Sequence, residues 1–220
     1  MGKLIVLEGA DGSGKATQTG LLHQYLINKG YLVRKIEFPN YQSPSSSLIK
    51  MYLHGEFGND PCTVNPYAAS TFYAVDRFAT FKKGWQDFYD QGGIILADRY
   101  VTSNLVHQMS KISDPEEREQ FEKWLIDLEY NKFKLPQPDW VIFLDVPPAV
   151  SRRLIVERSG ASAGKDIHEM DHSYLEQSYR MSLELARRHG WFQISCAEDE
   201  ELQSVECIHA KICAMLKNHL

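Results

Sequence analysis

An α/β fold, with a parallel five-stranded sheet flanked by helices on both faces, is what this chain of 220 residues predicts. Three observations carry that expectation. Short apolar runs alternate along the chain with longer stretches of helical periodicity. Several runs, such as Val141-Ile142-Phe143-Leu144, are continuously apolar and suit parallel strands buried on both sides. The length and the 43% hydrophobic content suffice for one substantial core and crowd two, so a single domain over 1–220 is expected.

The elements follow in order. Lys3–Glu8 reads as the first strand; it holds Leu4-Ile5-Val6-Leu7 and runs into glycines, after which Leu21-Leu22 and Tyr25-Leu26 begin a helical repeat. Leu32–Phe38 is the second strand, Ile94–Asp98 the third, Trp140–Val146 the fourth and Phe192–Ser195 the fifth, with helices in the intervals. Asn65-Pro66 opens one helix, and Val146-Pro147-Pro148 starts another. The most loop-like stretches are Asn40–Ser47, Gly55–Pro66 and Ser159–Lys165. Ligands in such folds gather at the carboxyl ends of strands. That rule makes neighbours of Gly9–Lys15, Phe38-Pro39, Asp98-Arg99 and the segment after Asp145.

Composition narrows the partners. A net charge of −5 argues against a nucleic-acid surface, so phosphate binding should come from a few placed cations. Cys62, Cys196, Cys207 and Cys213 form no CxxC pair, and Met-Gly-Lys leads straight into a strand rather than a leader, which points to a reducing cytoplasm. No apolar stretch approaches the ~18 residues that a membrane crossing needs.

The chemistry starts at Gly9-Ala10-Asp11-Gly12-Ser13-Gly14-Lys15-Ala16-Thr17, which has the layout of a phosphate-cradling P-loop. Glycines let successive N–H groups face an anion, the following helix presents its positive end, and Lys15 adds a mobile charge for the outer phosphates. These residues are expected to bind ATP. The position after Lys15 usually carries a hydroxyl that binds Mg²⁺, and here it is Ala16. A second anion site is offered by Asp98-Arg99-Tyr100. Asp98 ends a buried strand, where a carboxylate can hold Mg²⁺ through water, and Arg99 can grip a phosphate bidentately; a structural ion pair is the plainer alternative. Asp145 ends another apolar strand but has no cation after it.

Tyr73 and Arg77 fall one turn apart on a helix, where a ring and a guanidinium could stack on a base and bond its edge; the alternative is ordinary amphipathic packing, with Arg77 solvated or paired to a carboxylate. Phe38-Pro39-Asn40-Tyr41 could line the same cleft or simply turn. Arg158–Lys165 is small and flexible in composition with cations at both edges, as a lid over a triphosphate would be, or as a plain loop would be. His168-Glu169-Met170-Asp171-His172 matches H-E-x-x-H, but no third ligand follows and apolar flanks are missing, so a solvated helix start accounts for it better than zinc.

Taken together, these motifs resemble those of the thymidylate kinases, which are P-loop nucleoside monophosphate kinases. The resemblance runs from Lys3 to about Leu185 and rests on the Asp-containing loop, Phe38-Pro39, the aromatic-x-x-x-Arg helix, Asp98-Arg99-Tyr100 with Ser103-Asn104 behind it, Leu144-Asp145-Val146 and the lid. It implies a P-loop NTPase fold with a short lid at about 153–170, and transfer of the γ-phosphoryl group of ATP to dTMP. Lys15 and the loop amides would hold the ATP phosphates, Asp11 would meet the 3′-hydroxyl of dTMP, and Asp98 would organise Mg²⁺. Arg99 would bind the acceptor phosphate, Arg77 would read the thymine edge, and Tyr73, with Phe72 as the other candidate, would stack on its face. Phe38, Pro39 and Tyr41 would line the monophosphate pocket, with Ser103 and Asn104 beside the base. His107 stands where related enzymes often place a Tyr against the ribose 2′ position. The loop interior has no Arg, so the assisting cation is expected from the lid, as Arg153, Arg158 or Lys165. A homodimer is implied by the resemblance alone. Two other functions fit parts of the pattern: a deoxynucleoside kinase, which wants a base for its hydroxyl acceptor, and a regulatory nucleotide-binding module without catalysis.

Overall fold

The computed structural model describes residues 1–159, 172–199, 201–217 and 219–220. Five strands form one sheet: β1 (Lys3–Gly9), β2 (Val33–Glu37), β3 (Ile94–Asp98), β4 (Trp140–Asp145) and β5 (Phe192–Ser195). Their order is β2-β3-β1-β4-β5 and every pairing is parallel. Each expected strand is present to within one residue at either end. Two-residue strands β6 (Ala197–Glu198) and β7 (Glu201–Leu202) pair antiparallel beyond β5. They are too short to leave a period in the sequence.

β1 lies at the centre and divides its side chains between two cores. Leu4 and Val6 join Ile95, Ala97 and Val141 on one face, while Ile5 and Leu7 join Leu96, Ile142 and Leu144 on the other. The first face is covered by α5 (Val101–Met109), α6 (Pro115–Ile126) and α8 (His172–His189), through Leu105, Phe121 and Leu185. The second is covered by α1 (Lys15–Asn28), α7 (Pro148–Ser159) and α9 (Val205–Leu216), through Leu22, Val150 and Ile212. Burial on both sides explains why these strands read as apolar runs without alternation.

Two connections shape the cleft above the strand ends. α3 (Pro66–Thr80) begins where Asn65 caps the Ala68 amide and Pro66 takes the first helical position. The stretch expected as a loop at Asn40–Ser47 contains a 3₁₀ turn, Pro44–Ser46, that runs into α2 (Ser47–Leu53). Asp76 of α3 fastens this segment, accepting from the Asn40 amide at 2.8 Å and from Ser45 Oγ at 2.6 Å. Asp145 is structural, accepting from Tyr179 Oη and Gln193 Nε2, both at 2.8 Å.

After α6 the chain makes a π-helical turn, Asp127–Lys132. This turn carries Glu129, fully buried, against Arg77 of α3, itself 2% exposed. Arg77 Nε donates to Glu129 Oε2 at 2.6 Å and Nη2 donates to the other oxygen. A bidentate pair satisfies both charges, but removal of one partner strands the other in a dry site. Glu129→Ala is therefore expected to lower unfolding free energy by about 3–5 kcal/mol, measured by urea denaturation; a change within about 0.5 kcal/mol, the usual range of a surface substitution, would contradict the pair's role.

Candidate active site

β1 delivers the phosphate-binding loop directly onto the N-terminus of α1. Gly12 and Gly14 have φ of 77° and 81°, which a side chain would oppose. At Gly9 the constraint is space, since a Cβ would lie 2.8 Å from Ser13 Oγ and 3.0 Å from the Leu144 carbonyl. No side chain caps α1, so its leading amides face the loop without internal competition. Lys15 is nearly buried; its Nζ donates to the Ala10 carbonyl at 2.7 Å and stands 3.9 Å from Asp11. Burial, followed by repulsion from Arg99, lowers its pKa to about 8 in spite of Asp11, Asp98 and Glu8.

The second cationic centre is built by β3, the neighbour of β1. Its last residue, Asp98, pairs in register with Leu7 on one side and Glu37 on the other. Arg99 then turns with φ of 64°, rare for a residue with a side chain, while its amide donates to the Leu7 carbonyl at 3.0 Å. The guanidinium reaches across the strand tips: Nη2 donates to Asp11 Oδ1 at 2.6 Å, and Nη1 donates to Glu8 Oε1 at 3.4 Å and Ser103 Oγ at 3.3 Å. Nη1 also lies 3.3 Å from His107 Nε2. Burial opposes the charge of Asp11, but Arg99, Lys15 and His107 outweigh it and hold the carboxyl well below the usual range. Burial likewise opposes the Arg99 charge, and Asp11, Glu8 and Asp98 outweigh that.

Two cavities open on this cluster and share the wall Asp11, Phe38, Pro39, Tyr41 and Arg99. One extends over Gly12–Thr17 and takes in Glu37, Asp98 and Leu154. The other extends away along α3 and α5 and is lined by Tyr73, Arg77, Tyr100, Ser103, Asn104, His107 and Gln108. The expected site residues at Lys15, Asp98, Arg99 and Arg77 thus meet around one cleft.

Several placements correct the sequence expectations. Tyr73 lines the second cavity, whereas Phe72 packs on Phe57 with ring centroids 5.9 Å apart and does not line it. Arg77 faces the cavity and is also paired to a carboxylate, so its two expected environments coexist, with Nη1 turned to the Tyr100 carbonyl at 3.5 Å. Asn104 is buried and spends an N–H on the Ser70 carbonyl at 3.2 Å. Arg153 is turned to Glu201 of β7, with N–O distances of 3.2 and 3.0 Å, and is not among the residues lining either cavity. The Arg158 side chain, Lys165 and the run His168–Asp171 lie outside the described residues, as does most of the expected lid.

Three functional candidates escaped the sequence reading. Glu8 is a carboxylate closing an apolar strand, a contrast that could have flagged it. Gln108 follows Asn104 by one helical turn; it is 1% exposed, lines the second cavity and has an Oε1 without a hydrogen-bond partner. Glu129 left no signal, because nothing in its polar surroundings marks it as the partner of Arg77.

The first cavity offers few side-chain ligands for a metal. Ala16 supplies no oxygen, and among the described residues no three His, Cys, Asp or Glu side chains gather into a cation cage. Asp98 and Glu37, on adjacent strand ends beside Lys15, offer hard oxygen ligands. That donor set fits an ion that keeps waters and takes substrate phosphates for its remaining positions, which is the habit of Mg²⁺.

A family model described as thymidylate kinase matches residues 7–212. A probable thymidylate kinase of Pyrococcus horikoshii is 33% identical over 100% of this chain and 98% of its own length. A thymidylate kinase of Mycobacterium tuberculosis is 32% identical over 86% of this chain and 87% of its own. The fold is similar to that of a solved thymidylate kinase from Candida albicans, at a TM-score of 0.72 and 22% identity, covering 99% of this chain and 92% of the other. With a family match across nearly its whole length, this chain belongs to the thymidylate kinase family.

Proposed function

We propose that the chain transfers the γ-phosphoryl group of ATP to a phosphate oxygen of dTMP, giving ADP and dTDP, with the donor over Lys15 and the acceptor over Arg77. One observation carries this reading: two cavities, one on a phosphate loop and one lined by Tyr73, Arg77 and Gln108, share Arg99 as a common wall. Phosphoryl transfer asks chiefly for alignment and charge neutralisation, which preorganised cations supply.

In this arrangement the loop amides and Lys15 hold the donor's outer phosphates, and Arg99 holds the acceptor phosphate facing them. An ionised acceptor phosphate needs no general base. The carboxylate facing the acceptor cavity, Asp11, is held ionised by Arg99 and makes a poor base, which disfavours a hydroxyl acceptor. Asp98 lines the donor cavity instead. Tyr73 offers a stacking face. Arg77 offers donors for a thymine carbonyl, and the unpaired Gln108 Oε1 offers an acceptor for the N3–H. Asp98 and Glu37 would hold Mg²⁺, which when bound neutralises charge on the donor phosphates. Arg158 and Lys165 remain the proposed lid cations, within one kinase domain spanning 1–220. The resemblance supports a homodimer. None of the four cysteines is in a disulfide among the described residues, which fits a reducing cytoplasm, and no described helix is long and apolar enough to cross a membrane.

Supplied with ATP and Mg²⁺, the protein is expected to release ADP with dTMP and not with thymidine. Turnover of thymidine with inert dTMP would establish a deoxynucleoside kinase, and no ADP with either would establish a non-catalytic module. Gln108→Ala is expected to raise the KM for dTMP by about tenfold, as loss of one buried hydrogen bond predicts, with kcat within twofold; an unchanged KM removes Gln108 from base recognition. For Lys15, a pKa lowered to about 8 in the free protein means that the charge is present well below pH 8 and is lost progressively as pH rises through it. ATP then binds with proton uptake, so its KM should climb by up to about tenfold per pH unit above pH 8. Lys15→Arg, charged throughout, should flatten that rise; a profile identical to wild type would assign the titration elsewhere.

A further inference from the structure

Among the described residues, Glu8 is the one buried carboxylate at the strand tips that lines neither cavity. It is 1% exposed and accepts four hydrogen bonds: Oε1 from the Gly9 amide at 3.0 Å and from Arg99 Nη1 at 3.4 Å, Oε2 from Thr102 Oγ1 and Ser103 Oγ, both at 2.7 Å. Four donors use the capacity of a carboxylate and leave nothing to give a substrate. Its partners, however, are the phosphate loop at Gly9, the guanidinium at Arg99 and the first turn of α5 at Thr102 and Ser103.

We infer that Glu8 is a positioning residue for phosphoryl transfer, fixing the Arg99 guanidinium against the loop while Asp11, the other carboxylate on Arg99, is free to turn to the acceptor. The inference rests on the kinase reading above. The two carboxylates differ in the property that decides this division. Asp11 has a side chain 31% exposed and lies on the wall of both cavities, so an incoming phosphate can replace it on Nη2. Glu8 is shut between β1, β3 and α5 and cannot be displaced. Arg99 needs such an anchor. Its backbone sits in the left-handed region, and four side-chain bonds in the free state compete for its fork. A cation that must face a developing charge contributes most when its orientation precedes binding. Glu8 also ties Arg99 to Ser103 through one oxygen pair, so the acceptor phosphate's cation and the wall of the acceptor cavity keep a common register.

The test is a double-mutant cycle between Glu8→Gln and Arg99→Lys, with dTMP and ATP as substrates. Glu8→Gln preserves shape and removes the charge that orients the guanidinium. Its expected effect is a fall in kcat of about thirtyfold, the size typical of losing a charge-assisted hydrogen bond, with ADP affinity, measured by calorimetry, within twofold. With Arg99→Lys already present the fork is gone, and Glu8→Gln should then change kcat by less than about threefold. A kcat within threefold of wild type, or an equal loss in both backgrounds, overturns the inference. If Glu8→Gln fails to fold, Thr102→Val removes one donor to Oε2 and is read by the same cycle: loss only beside Arg99 supports the inference, and equal or no loss overturns it. A wild-type protein that leaves dTMP unchanged removes the kinase reading and this inference with it, whereas an active wild type with an unaffected Glu8→Gln variant removes the inference alone.

Discussion

The arrangement turns on a guanidinium held between two carboxylates. Arg99 spans Glu8 and Asp11 because parallel pairing of β1 with β3 sets the end of one strand beside the start of the phosphate loop. Repulsion between Arg99 and Lys15 is tolerated there only because Asp11, Asp98 and Glu8 surround them. A desolvated cation pair without that compensation would shed a proton, and it would be Lys15 that lost it, since a guanidinium does not deprotonate. The cluster therefore stores positive charge for phosphates while remaining balanced before they arrive. Its cost falls on the backbone, where a residue other than glycine takes a left-handed turn, about 1–3 kcal/mol by general experience.

The second cavity applies the same logic farther from solvent. Arg77 stays charged in a fully packed environment because Glu129 meets it edge to edge. The pairing uses one side of the fork and leaves Nη1 for the Tyr100 carbonyl. A π-helical turn after α6 supplies the carboxylate at this depth; such turns often aim a side chain that regular helix would misdirect. His107, by contrast, ties helices together: its ring stacks with Tyr174 of α8 at 6.0 Å, and Tyr174 Oη donates to its carbonyl at 3.1 Å. A residue of α5 that meets Arg99 is thereby joined to the helix that follows the expected lid.

Peripheral constraints keep the cleft open to the right depth. Asp76, one residue before Arg77, takes a different bearing on the helix and holds the segment after Phe38-Pro39 through Asn40 and Ser45. One helix thus contributes Tyr73 and Arg77 to the second cavity and fastens the segment that follows Phe38-Pro39. Ala16 removes the usual hydroxyl from the helix start, and the neighbouring oxygens are those of Asp98 and Glu37, brought side by side by the β2–β3 register.

The amino-acid sequence by itself determined the centre of the sheet, because β1, β3 and β4, buried on both faces, must be almost continuously apolar, and they end at Gly9, Asp98 and Asp145, which could be read directly. It also determined the phosphate loop and the Asp98-Arg99 pair, whose chemistry is local and whose place at strand tips follows from parallel topology. Tertiary structure alone decided which of Phe72 and Tyr73 faces the cavity, since neighbours on a helix differ by about 100° and both are aromatic. It alone matched Arg77 to Glu129 and Arg99 to Glu8, partners 52 and 91 residues apart. Periodicity carries no information about contacts at that range; a buried charge finds its counter-charge only when the core closes around both.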